Sequence, residues 1–104
     1  MTNKKQSWFV YIIQCSDNSY YTGITTDIDR RLNEHNTGKG AKYTKGRLPV
    51  VLEESLEFPD MTSASKEEYR IKQLSRNNKE LLIGKWRIDR LRKEFVIWWL
   101  KLEI

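Results

Sequence analysis

Five side chains in this sequence carry groups that suit work on a phosphodiester: the phenols of Tyr11 and Tyr21, the guanidinium of Arg31, the imidazole of His35 and the carboxylate of Glu68. A guanidinium neutralises phosphate charge, a phenol and an imidazole handle protons, and a carboxylate can hold a hard cation. Each group also has a plainer use. The tyrosines suit ordinary sheet aromatics, and Arg31 and His35, four residues apart, suit a solvated helix face that touches phosphate without specificity. Glu68 is the least ordinary, because it follows Ala64 by four residues and precedes Ile71 by three, on or beside the inward stripe of its helix. A carboxylate there requires a partner, either Arg31 in a structural salt bridge or a divalent cation.

Positioning these groups falls to a small set of elements. Trp8 to Gln14 is a run of aromatic and β-branched residues that reads as a strand buried on both faces, and Tyr20 to Thr25 reads as its hairpin partner. Register is decisive: an odd-length loop, such as Asp17-Asn18-Ser19, puts Tyr11, Tyr21 and Gly23 on one face, whereas an even loop separates the tyrosines. Thr26 is a suitable N-cap, with Asp27 and Asp29 in the first turn of a helix running to about Asn36. Ile28 and Leu32 anchor that helix to the sheet, and Arg31 and His35 line an adjacent strip.

Gly38, Gly40 and Gly46 then open a flexible basic loop, Thr37 to Pro49, which carries Tyr43 and Thr44. Val50 to Phe58 alternates imperfectly and reads as a third strand. A helix is expected from about Thr62 or Ser63 to Leu74, then a short helix capped by Ser75 and stopped by Gly84. Leu91, Phe95, Trp98 and Leu102 give the last segment helical spacing. The fold class is therefore α+β, a small three-stranded, mainly antiparallel sheet opened by a β-hairpin and packed with three to five helices. Residues 1–7 are expected to be flexible.

At 104 residues the chain is one domain's worth, able to build a modest core without staples. Its one cysteine, Cys15, excludes an internal disulfide, and no secretory leader pattern appears, so a cytoplasmic setting is expected. The longest apolar stretch, Phe95 to Leu100, is far too short to span a membrane. The net charge of +5 favours an anionic partner. Between Arg30 and Arg47 six basic residues (Arg30, Arg31, Lys39, Lys42, Lys45, Arg47) stand against Glu34 alone, so this segment can account for the whole excess. A solvated basic face kept for solubility is the bland alternative.

The ordered motifs carry more. Phe9-Val10-Tyr11, then Tyr21-Thr22-Gly23, then Arg30-Arg31-Leu32-Asn33-Glu34-His35-Asn36, and finally Ala64-Ser65-Lys66-Glu67-Glu68-Tyr69 resemble the GIY-YIG nuclease domain over roughly Trp8 to Ile83. The chain is most similar to the small single-domain bacterial members. The resemblance implies that Tyr11 activates water, directly or through the metal's hydration shell, Tyr21 orients that water or a phosphate oxygen, Arg31 neutralises charge on the scissile phosphate, and His35 assists proton transfer or contacts phosphate. It implies that Glu68 holds one Mg²⁺ or Mn²⁺, and that Gly23 leaves room for DNA backbone beside Tyr21. A free tyrosine titrates near 10, so Tyr11 as a base requires a pKa lowered by metal or by neighbouring cations. Phe9 replaces the family's first glycine and Thr22 its central isoleucine, which bears on local backbone geometry more than on chemistry.

The functional expectation is a metal-dependent endonuclease that cleaves DNA with structure selectivity or weak sequence specificity, in repair, recombination or processing. Arg30, Lys39, Lys42, Tyr43, Lys45 and Arg47 would grip the backbone. No small-molecule cofactor and no membrane are implied. The alternative is a nucleic-acid-binding module with the same fold and little or no cleavage. Residues 8–84 form the nuclease-like domain on this reading, and 85–104 form an amphipathic C-terminal helix packed on it. With Trp86, Trp98 and Trp99, that helix can complete the core, dock a partner or form a homodimer.

Overall fold

The computed structural model describes residues 6–102. Most of the expected flexible N-terminus, residues 1–5, lies outside the described residues. Within them the order is β1 (Trp8–Gln14), β2 (Tyr20–Thr25), α1 (Ile28–Asn36), α2 (Lys42–Lys45), β3 (Val51–Phe58), α3 (Met61–Lys72) and α4 (Arg76–Leu102). The sheet is antiparallel throughout with strand order β2-β1-β3. The expected α+β class is thus the observed one.

β1 is central, and its apolar run follows from that place, since a strand covered on both faces has no solvent side to keep polar. Val10 and Ile12 point to one face and join Ala64, Ile71, Ile83 and Trp86 beneath α3 and α4. Tyr11, Ile13 and Cys15 point to the other face, where Val50, Ile28 and Leu32 cover them. The hairpin has the register the site needs: Tyr11 faces Gly23 and Ile13 faces Tyr21, so Tyr11, Tyr21 and Gly23 share a face. Phe9 and Thr22 both keep regular ladder partners, Thr25 and Ile12, so the two departures from the family motif leave the strands undistorted.

The imperfect alternation of β3 has a physical cause. The β1–β3 register shifts between Ile12 and Ile13, so Glu54 pairs with Ile12 while Leu52 pairs with Ile13, leaving Glu53 as an extra residue. The bulge turns two adjacent carboxylates toward α4. Glu54, 6 % exposed, meets Arg90 at 3.0 Å and Arg87 at 3.5 Å, and Glu53 meets Arg87 at 3.2 Å. These pairs fasten the helix to the edge strand.

Several local expectations are corrected. The N-cap of α1 is Asp27, whose carboxylate accepts from the Arg30 amide, because Thr25 and Asp27 already exchange hydrogen bonds that turn the chain out of β2. α3 begins at Met61, just before the expected Thr62 or Ser63, because Asp60 caps it by accepting from the Ser63 amide. The segment after Gly38 is no open loop. Gly38, at φ +78°, ends α1 in a left-handed turn that bonds Gly38 N to His35 O and Lys39 N to Glu34 O, and the chain then forms α2. The two expected C-terminal helices are one. Gly84 does not stop the helix, which runs on to Leu102, because a single glycine costs only about 1 kcal/mol in a helix this long. Trp86 enters the core at 7 % exposure, whereas Trp98 and Trp99 are 55 % and 52 % exposed.

Candidate active site

β1, β2, α1 and α2 converge on the face of the sheet opposite α4. Tyr11 is 2 % exposed, and its hydroxyl lies 2.9 Å from His35 Nε2 and 3.4 Å from Arg31 Nε. The Tyr21 ring stands 6.4 Å from that of Tyr11 and 5.4 Å from that of His35, edge-on to the imidazole. Arg31 is steadied by an ion pair with Glu34 at 3.1 Å. Four of the five expected catalytic residues are therefore in one contiguous group. The fifth, Glu68, approaches from α3 and is close enough for its charge to act on the Tyr11 phenol.

His35 is placed differently from a surface histidine: it is fully buried. Its helix turns it under α2, where Nδ1 lies 2.8 Å from Thr44 Oγ1. Thr44 is itself fully buried and donates its hydroxyl proton to the Ala41 carbonyl at 2.9 Å. A hydroxyl with its proton so committed can only accept from the imidazole. The tautomer is thereby fixed, with the proton on Nδ1 and a bare lone pair on Nε2 facing the Tyr11 hydroxyl. Burial, and next the Arg31 charge, push the His35 pKa down, which keeps the ring neutral.

The linkage has a definite sign. An unfolded histidine takes up its proton near pH 6.5, whereas folded His35 resists it. Stability from this group is complete above pH 6.5 and is lost as pH falls from there through the lowered folded value. Thermal melts between pH 7.5 and 5 should show that loss, and a His35→Gln variant should show less of it. Thr44→Val should leave Nδ1–H unpaired and free the tautomer, lowering activity about tenfold to a hundredfold and stability by about 1–3 kcal/mol. Circular dichroism melts and cleavage assays on that variant check both effects.

The Tyr11 phenol is pushed up to about 12, chiefly by burial, against the lowering effect of the Arg31 hydrogen bond. The chain by itself therefore does the reverse of what a free general base requires. Gly23 is also reassigned. A Cβ at this position would meet the Tyr11 hydroxyl and lie 2.6 Å from Tyr11 Cζ, so the space the glycine leaves is filled by the phenol itself rather than by DNA. Gly40 plays the same part for His35, since a Cβ there would lie 2.8 Å from both His35 Cα and Cγ.

Of the two alternatives open for Glu68, the salt bridge with Arg31 is not the pairing observed. Glu68 meets Lys72 one turn on at 3.7 Å, and Arg31 meets Glu34. No group of three or more His, Cys, Asp and Glu stands together among the described residues. What the site offers a metal is one partly exposed carboxylate beside a phenol, hard oxygen donors that suit an ion retaining most of its water.

The expected phosphate-gripping residues divide. Arg30, Lys39, Lys42 and Lys45 are exposed. Tyr43 stacks on Tyr21 with centroids 6.0 Å apart, and the Arg47 guanidinium lies 4.0 Å over the Tyr43 ring. Arg47 is further held by Asp17 at 2.9 Å and by the Tyr43 carbonyl at 2.7 Å, so it braces the site. Thr44 and Gly40 escaped sequence reading because neither periodicity nor charge marks them; their proximity to His35 comes from the chain's return after Gly38.

A two-faced hairpin sheet carrying paired tyrosines against a helix with Arg and His is the arrangement of one class. The GIY-YIG catalytic domain model matches residues 7–81, and the chain belongs to that family. It is similar to a UPF0213 protein of Halobacterium salinarum, 59 % identical over 73 residues that cover 70 % of this chain and 95 % of that protein. A UPF0213 protein of Halalkalibacterium halodurans is 52 % identical over 76 residues, covering 73 % and 81 %. Among solved structures, an Enterococcus protein (E. faecalis EF2693) has a TM-score of 0.58 at 37 % identity, covering 84 % of this chain and 93 % of that one. The UPF0213 protein BH0048 from Bacillus halodurans has a TM-score of 0.50 at 50 % identity, covering 75 % and 83 %.

Proposed function

We propose that this protein is a metal-dependent endonuclease that hydrolyses DNA phosphodiester bonds without reading sequence closely. The observation that carries the reading is the Tyr11 hydroxyl held between a proton acceptor, His35 Nε2, and a fixed cation, Arg31. With its pKa at about 12, Tyr11 does not exist as free phenolate at neutral pH. It acts as a relay instead. The phenol proton moves to His35 Nε2 as the phenol oxygen takes a proton from water, so no isolated phenolate forms. The resulting hydroxide bonds to phosphorus, the P–O bond to the leaving oxygen breaks, and the leaving alkoxide takes a proton from solvent.

Arg31 neutralises charge that builds on the phosphate, and Tyr21, held between Tyr43 and the imidazole, orients the water or a phosphate oxygen. Glu68 would hold one Mg²⁺ or Mn²⁺ together with waters and substrate oxygens, and the bound ion supplies Lewis-acid neutralisation of phosphate charge. Lys39, Lys42 and Lys45, exposed around α2, meet the DNA backbone. The buried, unpaired Cys15 suits a reducing, cytoplasmic setting. Among the described residues no helix is long and apolar enough to cross a membrane.

The test is incubation of the purified protein with nicked, branched, single-stranded and duplex DNA in Mg²⁺ or Mn²⁺. Arg31→Ala should lower cleavage by about 10²–10³-fold. Glu68→Ala should abolish it and also remove the rise in melting temperature that the metal alone gives the wild type. DNA binding that weakens steeply with salt, without cleavage or metal-induced stabilisation, would select the binding module instead.

A further inference from the structure

From Leu81 onward α4 presents an apolar stripe that its own domain leaves uncovered. Leu81, Ile88, Leu91, Phe95 and Trp98 follow one another at intervals of seven, three, four and three residues and are 72, 53, 50, 61 and 55 % exposed. At 100° per residue the centre of the stripe lies far round the helix from Trp86, which enters the core, and from Arg90, which grips β3, with Ile83 and Arg87 on its near flank; Val96, Ile97 and Leu100, on the other sides of the last turns, are exposed too. With Trp99, these side chains expose on the order of 700 Å² of apolar surface, more than monomers usually leave contiguous and near the roughly 800 Å² per partner of a standard interface. The family match ends at residue 81, so the family domain does not account for the stripe beyond Leu81.

Gly84 lies in the same stripe, between Leu81 and Ile88. A glycine inside a helix is unfavourable, and beyond its neighbours and its own helical backbone no described atom lies within 4 Å of where its Cβ would stand, so nothing among the described residues requires it. An apolar seam interrupted by an unexplained glycine is suited to receive a large side chain from outside.

We infer that this seam is an interface with a second copy of the chain, formed by antiparallel pairing of the two α4 helices. Placing Ile88 against Leu91 of the second copy sets Gly84 opposite the other Phe95 and Leu81 opposite the other Trp98. The glycine then makes room for the phenyl ring. The same register brings Glu80, paired within its own helix to Arg76, beside Lys101, and Glu94, paired to Arg90, beside Arg87, whose guanidinium also holds Glu53 and Glu54, along one flank. A shift of one heptad in one direction sets Glu94 against Glu94 and Arg87 against Lys101; in the other it sets Arg87 against Arg87 and Glu80 against Glu94. Along the second flank Lys85 faces Arg92, and Asp89 lies between those two on each helix to offset the meeting. Parallel pairing fares worse: it sets Gly84 against Gly84 and Trp98 against Trp98, alternating void and crowding. The candidate active site lies on the face of the sheet opposite α4, so pairing through α4 leaves both sites open.

Sedimentation equilibrium of the full chain across micromolar concentrations should show a dimer. Phe95→Glu should give a monomer with an unchanged circular dichroism spectrum. Gly84→Leu, which improves helix propensity in the monomer, should weaken dimerisation at least tenfold by filling the slot for Phe95. Glu80→Lys should weaken it as well, and Glu80→Lys combined with Lys101→Glu should restore it, a rescue specific to this register. A monomer at every concentration would overturn the inference, and so would a dimer indifferent to Phe95→Glu and Gly84→Leu. A monomer that co-sediments with anionic phosphatidylserine vesicles would assign the seam to lipid and overturn it equally.

Discussion

Replacing Tyr11 with phenylalanine should lower DNA cleavage by about 10³–10⁴-fold while leaving the fold in place. The phenol is the only group in the relay that touches both His35 and Arg31, so its loss disconnects the proton acceptor from the water and the cation from the oxygen it steadies. The ring remains and keeps its packing in the second core cluster. What changes structurally is that His35 Nε2, fully buried, is left without a donor, which should cost about 1–3 kcal/mol. Single-turnover cleavage beside a denaturant melt separates the two effects. A variant as stable as expected that still cuts at a tenth of the wild-type rate would remove Tyr11 from the chemistry.

Gly23→Ala should be nearly as damaging without removing any reactive group. The new methyl would overlap the Tyr11 hydroxyl and approach Tyr11 Cζ at 2.6 Å, and the ring cannot retreat far because it is 2 % exposed and bonded to His35. Overpacking of this kind costs about 1–3 kcal/mol. Displacing the phenol by about 1 Å should cost roughly 10²-fold in rate. DNA affinity measured under non-cleaving conditions should stay near that of the wild type, because the methyl lies beneath Tyr11 and not among the exposed lysines proposed to meet phosphate. A loss confined to affinity would instead restore the idea that Gly23 makes room for DNA.

These two positions mark how far the chain could be read before its fold was known. The central strand, its hairpin partner and the shared face of Tyr11, Tyr21 and Gly23 follow from local rules, since apolar runs, turn residues and a period of two leave few alternatives. The spacing of Arg31 and His35 likewise follows from one helical turn. Local rules also explain the errors. Asp27 rather than Thr26 caps α1 because Asx, Ser and Thr compete closely for that role, and α4 passes through Gly84 because one glycine is a weak stop.

Partnerships across long separations were beyond such rules. That His35 is buried, that Thr44 sets its tautomer, and that Gly40 must be small to let it pack all depend on α2 folding back onto α1. The choice of Lys72 over Arg31 as partner for Glu68 depends on where α3 crosses the sheet. The sequence by itself determined which groups exist and which face of the hairpin carries them, because those are properties of neighbours along the chain. Only the tertiary structure decided that the imidazole is neutral, that the phenol is raised to about 12 rather than lowered, and that a helix seam faces outward, because burial and charge act through space.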